Sequence, residues 1–226
     1  KVGDAKTGNW SKVWSFVAPP SRNQHLDRIN FAVFGDMGTY APMGFAVSYQ
    51  LNLTNMIDPF DFVFLTGDVS YAGMNSEKHG ETEPIWDIFG ELCEKWAASV
   101  PFMPGVGNHE RYYNYTAYQK RYYLPRSEDS GENFWWSFDY GQLHVIHISS
   151  EHNYTKGSPQ YQFIEKDLKQ ASSNPNTQWI ILGAHRPFYC SSTFEFAEHT
   201  QIAIALEELV NKYKVDIVQT GHVHAY

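Results

Sequence analysis

The sequence predicts an α/β fold, and three of its features carry that prediction. Apolar runs rich in β-branched and aromatic residues alternate with segments whose apolar residues have helical spacing, an order that favours a largely parallel sheet. Runs such as FVFLTG at 62–67 are almost continuously hydrophobic, as strands covered on both faces are. Several runs stop at Gly followed by Asp, Asn or His. We therefore expect polar groups at the carboxyl ends of the strands, where such folds bind ligands.

The predicted elements follow one another in a regular order along the chain. Strands or extended runs are predicted at 29–36, 61–68, 100–109, 142–149, 179–185 and 215–222. Helices are predicted at 44–57, 84–99, 159–171 and 199–213. Pro84 and Pro159 open two of these helices, because a proline in the first turn sacrifices no helical hydrogen bond.

The first 28 residues depart from this pattern. Residues 1–20 contain a turn and then an alternating, aromatic-rich strand that ends at Pro19 and Pro20, and residues 21–28 are polar and linker-like. We predict the remnant of a β-domain over 1–22 and a larger α/β domain over 28–226. Because the last predicted strand ends close to residue 226, we expect the α/β domain to be incomplete at its carboxyl end.

Composition and charge narrow the classes of function. The chain has 226 residues and a net charge of −8, enough residues for one large domain with a substantial core. It has no cluster of Lys or Arg, so we expect no nucleic-acid partner. No apolar stretch approaches the ~20 residues that a membrane-spanning helix needs.

Glycosylation sequons and cysteines bear on the compartment. Four sequons begin at Asn9, Asn52, Asn114 and Asn153, a density that favours a secreted, lysosomal or vacuolar glycoprotein. The chain has two cysteines, at positions 93 and 190, and the sequence leaves open whether they form a disulfide.

Five short motifs supply the candidate metal ligands. In chain order they are GDMG at 35–38, GDVSY at 67–71, GNHE at 107–110, GAH at 183–185 and GHVH at 221–224. Their oxygen and imidazole groups suited to metals belong to Asp36, Asp68, Tyr71, Asn108, His185, His222 and His224. These are more ligands than one tetrahedral zinc ion takes, and they suit two ions that share a bridging carboxylate.

The order and spelling of these motifs resemble the metallophosphoesterase superfamily, and the tyrosine of GDVSY resembles the purple acid phosphatases in particular. Flanking segments agree, namely GNHER at 107–111, ENFWWSFDYG at 132–141, HRPFYCSS at 185–192 and GHVHAY at 221–226. The resemblance covers essentially the whole chain. It implies an α-β-β-α sandwich preceded, over 1–22, by the last strands of a fibronectin III-like β-domain.

The resemblance also implies how two metals divide the ligands. The Fe(III) ligands would be Asp36, Tyr71 and His224. The ligands of a divalent zinc, manganese or iron ion would be Asn108, His185 and His222. Asp68 would bridge the two ions, and the balance of ionic and ligand charge would leave a site that attracts a phosphate dianion.

The activity implied by the resemblance is that of an acid phosphatase. A metal-activated hydroxide would attack a phosphate monoester and release inorganic phosphate, while His109 stabilises the transition state or protonates the leaving group. His199 is the candidate for a second substrate-facing imidazole. Ferric iron would bind the Tyr71 phenolate well below the ordinary phenol pKa of about 10, which favours activity at acid pH. A homodimer is an assembly that the resemblance allows.

Two other functions stay open at this point. A phosphodiesterase or nucleotide pyrophosphatase would use the same ligands, because the pocket walls rather than the metals decide the size of the substrate. A catalytically silent binding or adhesion module could also be built on this fold, although the complete set of ligands argues against it.

Several polar residues near the motifs have simpler explanations. His144 and His147 lie on one predicted strand and, by its two-residue period, on opposite faces, so we interpret both as structural. Glu110 and Arg111 either support the loop that carries His109 or form a surface ion pair.

Overall fold

The computed structural model describes residues 3–22, 24–74, 80–125, 129, 133–191 and 196–224, with the side chains of 196–199 excepted. Its strands are β1 (Gly3–Asp4), β2 (Asn9–Trp10), β3 (Phe31–Phe34), β4 (Phe62–Leu65), β5 (Phe102–Pro104), β6 (Trp136–Tyr140), β7 (Leu143–Ile148), β8 (Trp179–Ala184) and β9 (Ile217–Gln219). Its helices are α1 (Met43–Ile57), α2 (Glu83–Ala97), α3 (Thr116–Arg121), α4 (Pro159–Ser173) and α5 (Phe196–Lys212). The helices and strands predicted from 29–222 are all present, with ends displaced by a few residues.

The strands of the α/β domain form two sheets. The first has the order β3-β4-β5 and is parallel, and the second has the order β6-β7-β8-β9 with only β6 antiparallel to its neighbour. Residue patterning alone missed β6, which joins β7 through a tight turn at Gly141 and Gln142. The two-sheet architecture that the family resemblance implied is confirmed.

Aromatic side chains fill the space between the two sheets. The ring centroids of Phe62 and Phe138 are 5.2 Å apart, and those of Phe64 and Trp136 are 5.8 Å apart. On the outer face of the first sheet, the Trp96 ring of α2 packs edge-on against β5, and α1 packs on α2. Helices α4 and α5 cover the second sheet through a separate apolar cluster. The layers are therefore helix, sheet, sheet, helix.

The amino-terminal segment differs from its prediction. β1 and β2, each of two residues, pair as a short hairpin, whereas residues 11–20 have no regular secondary structure and are largely exposed. The alternating run around Trp14 and Phe16 is therefore not a strand, because in the described part of the chain no neighbouring strand pairs with it and an isolated strand is not stable in water. The assignment of 1–22 to a fibronectin-like domain stays a prediction.

Candidate metal centre

Each of the five motifs places its candidate ligands beyond the carboxyl end of a strand. Asp36 follows β3, Asp68 and Tyr71 follow β4, and Asn108 follows β5 at the start of a 3-10 turn. His185 follows β8, and His222 and His224 follow β9. Because parallel strands end on the same side of a sheet, both sheets deliver polar side chains to one edge of the sandwich.

Three candidate ligands from three different strands meet at one point. The Tyr71 hydroxyl is 3.1 Å from Asp36 Oδ1 and 2.9 Å from His224 Nε2, and His224 Nε2 is 3.1 Å from Asp36 Oδ1. Ligand atoms about 2.1 Å from an octahedral ion lie about 3 Å from one another, so this triangle has the dimensions of one face of a metal site.

The remaining ligands gather around His185, which is fully buried. His185 Nε2 is 3.0 Å from Asn108 Oδ1, 3.1 Å from His222 Nδ1 and 3.2 Å from Asp68 Oδ2. The other ring nitrogen, Nδ1, is 2.9 Å from the Thr66 carbonyl oxygen, to which it donates. In the neutral imidazole this hydrogen bond leaves Nε2 as the nitrogen with a lone pair toward the cluster, an arrangement typical of metal-binding histidine.

Charges in the centre are strongly coupled. Burial raises the pKa of Tyr71 far above its ordinary value, and the carboxylates of Asp68 and Asp36 raise it further. Burial also opposes ionisation of Asp68, but His185 outweighs it and lowers the carboxyl pKa to about 2. The same pairing overcomes the effect of burial on His185 and raises its pKa to about 9. Asp68 and His185 thus form a buried ion pair in the metal-free chain.

The backbone of the centre is strained at four of the candidate ligands. Asp36, Asp68, Tyr71 and His222 have φ values of 56°, 52°, 57° and 70°, in the left-handed region that residues other than glycine seldom adopt. Each such residue costs roughly 1–3 kcal/mol, and strain of this kind concentrates at functional sites. The sequence gives no signal of it.

Two glycines of the motifs allow close approach to the ligands. A Cβ atom at Gly107 would collide with Asp68 Oδ1, and one at Gly221 would collide with Asp36 Oδ2. At these two positions a side chain would displace a candidate ligand.

Glu110 connects the GDVSY and GNHE motifs. Its buried carboxylate accepts hydrogen bonds from the backbone N–H groups of Asp68, Val69 and Gly107 at 3.0, 2.8 and 2.8 Å. Burial, followed by the charge of Asp68, raises the pKa of Glu110 well above its ordinary value. The interpretation of Glu110 as a support for this loop is confirmed, whereas Arg111 is exposed and lies over the Tyr112 ring.

His109 lies beside the cluster with a fixed ring orientation. Its Nδ1 is 2.6 Å from the Gly73 carbonyl oxygen, to which it donates, and its backbone N–H donates to Asp68 Oδ1 at 2.9 Å. Its Nε2 is 3.9 Å from Asp68 Oδ2, and the ring packs on that of Tyr71. The His199 side chain lies outside the described residues, so its predicted contact with substrate stays a prediction.

The two strand histidines point away from each other, as the two-residue period predicted. His144 faces α4 and lies 2.8 Å from both Asp139 and Asp167. His147 is buried between the sheets, stacked on Trp136, and neither of its ring nitrogens has a hydrogen-bond partner among the described residues. The interpretation of both as structural residues agrees with these positions.

Two further residues next to the centre were missed by the sequence reasoning. Arg186 Nη1 is 3.1 Å from His222 Nε2, and the same guanidinium pairs with Glu151. Arg186 directly follows His185, so adjacency to a candidate ligand was an available signal. No such signal marked Glu151, because it belongs to a loop that carries no motif.

The remaining structural predictions concern cysteines and membranes. Cys93 and Cys190 are not joined by a disulfide, and burial raises the pKa of the Cys93 thiol to about 12. Within the described ranges, none of the helices has the length and apolar character to cross a bilayer.

Comparisons with known proteins identify the family and the relatives of this chain. A family model described as calcineurin-like phosphoesterase matches residues 29–226. The probable purple acid phosphatase 20 of Arabidopsis thaliana is 34% identical over 225 residues, covering 94% of this chain and 48% of its own length. A nucleotide pyrophosphatase/phosphodiesterase of Hordeum vulgare is also 34% identical, covering 96% of this chain and 64% of its own length.

A solved structure agrees with the sequence relatives. The purple acid phosphatase from yellow lupin (Lupinus luteus) seeds matches with a TM-score of 0.76 and 29% identity, over 92% of this chain and 40% of that chain. The chain spans about half the length of the curated purple acid phosphatases that it matches.

Proposed function

Because the chain belongs to the calcineurin-like phosphoesterase family, and its resemblance to the purple acid phosphatases is confirmed by its relatives, we propose that it is the catalytic part of an acid phosphatase acting on phosphate monoesters. The observation that carries this proposal is the meeting of Asp36, Tyr71 and His224 beside the cluster around His185. The activity, substrate and assembly of the whole protein are all part of the proposal.

The donor set fits a dinuclear metal centre. We assign Asp36, Tyr71 and His224 to the Fe(III) side, as the family resemblance implies, and Asp36 and Tyr71 would supply it with anionic oxygen ligands. Asn108, His185 and His222 form the side for a divalent zinc, manganese or iron ion, and ligand atoms of Asp68, His185 and His222 lie within 4.8 Å of one another. Asp68 is the proposed bridge, as the carboxylate most deeply buried among the ligands.

Two bound metal ions would supply Lewis-acid activation of water and offset the negative charge of the phosphate. Groups of this chain orient the proposed bridging carboxylate. Asp68 is held by the N–H of His109, and Glu110 fixes the loop on which Asp68 sits, so its carboxylate is oriented before any ion binds. Such preorganisation lowers the cost of reaching the transition state.

His109 is the proposed proton donor to the leaving group. Because Nδ1 is bound to the Gly73 carbonyl, Nε2 is the nitrogen that faces the centre. When protonated, Nε2 can donate to the oxygen of the departing alcohol, and it can stabilise charge there as the bond to phosphorus breaks. His199 stays a candidate for a second substrate contact.

A phosphodiesterase or nucleotide pyrophosphatase is the second candidate function. The relative from Hordeum vulgare favours it, since that protein is as similar in identity as the probable phosphatase from Arabidopsis thaliana. Both reactions need the same ligands. The size and shape of the space for substrate beside the centre would therefore decide between them.

Secretion, or residence in a lysosome or vacuole, completes the proposal. Asn9, Asn114 and Asn153 are exposed, as acceptors of an N-linked glycan must be, whereas Asn52 is half-buried on α1. Inorganic phosphate is the proposed product, a homodimer the proposed assembly, and neither a nucleic-acid partner nor a membrane span is part of the proposal.

The test compares two substrates on the metal-loaded, full-length protein at acid pH. We expect kcat/KM for a chromogenic phosphate monoester to exceed that for the matching diester by more than about tenfold, or ~1.4 kcal/mol in the barrier. A reversed ratio would establish the diesterase instead, and hydrolysis of neither would overturn both. Metal analysis of the same sample should find iron together with a second, divalent ion.

A further inference from the structure

Arg186 and Glu151 form an ion pair at the edge of the candidate metal centre. We propose that Arg186 binds a phosphate oxygen of the substrate and that Glu151 is the positioning residue that aims its guanidinium. The inference rests on the proposed function and adds to it a residue that selects for the phosphate group. It is carried by the contacts of these two side chains and of Ser150.

One edge of the guanidinium is occupied by Glu151. Arg186 Nε donates to Glu151 Oε1 at 2.8 Å and Nη2 donates to Glu151 Oε2 at 3.2 Å, a two-point contact that fixes the guanidinium plane. Ser150 Oγ donates to Glu151 Oε1 at 2.9 Å and accepts from the backbone N–H of Arg186 at 3.0 Å. The carboxylate and the arginine backbone are therefore held by the same hydroxyl.

The opposite corner of the guanidinium points at the metal centre. Arg186 Nη1 is 3.1 Å from His222 Nε2, and His222 Nδ1 is 3.1 Å from His185 Nε2. A single imidazole ring thus separates the arginine donor from the ligand cluster. The Arg186 side chain is one-fifth exposed and that of Glu151 one-tenth, so the pair is largely buried but still reaches solvent.

Metal binding by His222 changes what Arg186 can donate to. His222 faces the cluster with Nδ1, and a neutral imidazole has one nitrogen with a lone pair and one with a proton. If Nδ1 gave its lone pair to a bound cation, Nε2 would carry the proton and would no longer accept a hydrogen bond from Arg186. Nη1 would then be placed to donate to a phosphate oxygen of a substrate in the centre, because a guanidinium matches the charge and planar geometry of phosphate oxygens.

Because Glu151 carries the opposite charge, Arg186 would act on the phosphate through its orientation and not by adding net positive charge to the centre. Glu151 neutralises Arg186, so the pair does not raise the overall positive charge of the centre. A lysine at position 186 would keep the charge but lose the planar fork with which arginine contacts a carboxylate and a phosphate together. The competing explanation is a purely structural ion pair, which predicts no effect on phosphate binding.

The experiment measures binding of inorganic phosphate to the metal-loaded, full-length protein by calorimetry, with metal content and the separate values of KM and kcat. The variants are Arg186→Gln, Arg186→Lys and Glu151→Gln. Arg121→Gln is the matched control. Arg121 also forms ion pairs, with Asp87 and Glu83, and within the described residues both of these partners lie outside the centre.

We expect Arg186→Gln to weaken phosphate binding and raise KM by roughly tenfold or more, as the loss of a charge-assisted hydrogen bond predicts. Glu151→Gln and Arg186→Lys should give smaller losses in the same direction. All variants should keep their metals, and Arg121→Gln should bind phosphate as the wild type does.

The outcomes separate this inference from the proposed function. Phosphate binding within about twofold of wild type in Arg186→Gln would overturn the inference while leaving the phosphatase proposal intact. Loss of metal from Arg186→Gln would also overturn it, by showing that Arg186 supports His222 instead of the substrate. A wild type that hydrolyses no ester, yet binds phosphate in an Arg186-dependent way, would keep the inference and refute the function.

Discussion

The hydroxyl of Tyr71 donates to Asp36 Oδ1 across 3.1 Å, and this contact defines the character of the centre. Burial and the carboxylates of Asp68 and Asp36 keep the phenol protonated in the metal-free chain. A cation bound here would have to displace that proton, and a trivalent ion is the proposed occupant of this side of the centre.

Replacement of Tyr71 by Phe tests the ferric side. A phenolate bound to ferric iron should give a visible charge-transfer band in the metal-loaded protein. We expect Tyr71→Phe to lose this band and to contain less iron, because the phenolate ligand is removed. Tyr40→Phe is the control, since the Tyr40 ring packs edge-on against Tyr71 at 5.3 Å without contributing a donor to the triangle. Absorption spectra and metal analysis give the answer, and an unchanged band in Tyr71→Phe would contradict the assignment.

Replacement of Asp68 by Asn tests the proposed bridge. We expect a loss of activity of more than about a hundredfold and a metal content reduced below two ions, because an amide cannot supply the bridging charge. Asp61→Asn is the control. The Asp61 carboxylate accepts from Tyr140 and from the backbone of Asn30, far from the ligands. Full activity in Asp68→Asn would refute the dinuclear mechanism.

Replacement of Glu110 by Gln tests the link between the two motif loops. An amide has one acceptor oxygen in place of two, so at least one of three backbone N–H groups would lose its partner in a buried site. The expected cost is roughly 1–3 kcal/mol in the free energy of unfolding, measured by urea denaturation. Glu91→Gln on the exposed face of α2 should change that free energy by less than about 0.5 kcal/mol. Equal effects in the two variants would show that Glu110 is not a structural link.

His147 should make the fold sensitive to acid. Burial, followed by the charge of His185, lowers the pKa of His147 to about 3, below the ordinary value of 6.5 that holds in the unfolded chain. The unfolded chain therefore binds more protons between these values, and stability falls as pH drops from 6.5 toward 3, by at most roughly 1.4 kcal/mol per pH unit. Above pH 6.5 the effect is absent.

The variant His147→Phe isolates this effect. Its free energy of unfolding should depend less steeply on pH between 6.5 and 3 than that of the wild type, whatever its absolute stability. Denaturant titrations at several pH values provide the slopes. Parallel slopes for the two proteins would show that His147 does not stay neutral inside the fold.

His144 should act in the opposite direction and at higher pH. Burial lowers the pKa of His144, but hydrogen bonds to Asp139 and Asp167 outweigh it and raise the value to about 9. Stability from this group is fully present below pH 6.5 and is lost as pH rises toward 9. His144→Gln should flatten that alkaline loss in a thermal or urea titration. A wild-type stability that is constant from pH 6.5 to 9 would contradict the predicted charge on His144.

Much of the architecture could be predicted from local pattern. The strands that end in the motifs are short apolar runs that stop at glycine, and those features are visible without any contact information. The hairpin strand β6 was missed, because WSFDY lacks the motif and pairs only with the strand that follows it. The alternating run after Trp10 was predicted as a strand for the opposite reason, since alternation shows what a strand needs but not whether a partner is present.

The sequence by itself determined which residue types are available and where along the chain they fall. Five motifs in fixed order, with a tyrosine in the second, were sufficient to name every candidate ligand, and the two-sheet fold was implied by the family resemblance that those motifs show. That was possible because strand ends and motif spelling are local properties. Tertiary structure alone decided three features of the centre. They are the convergence of Asp36, Tyr71 and His224, the left-handed backbone at four candidate ligands, and the buried hydrogen bonds of Glu110. So was the position of Arg186 against Glu151 and His222. These features depend on distances between segments far apart in the chain, and such distances exist only once the two sheets have packed together.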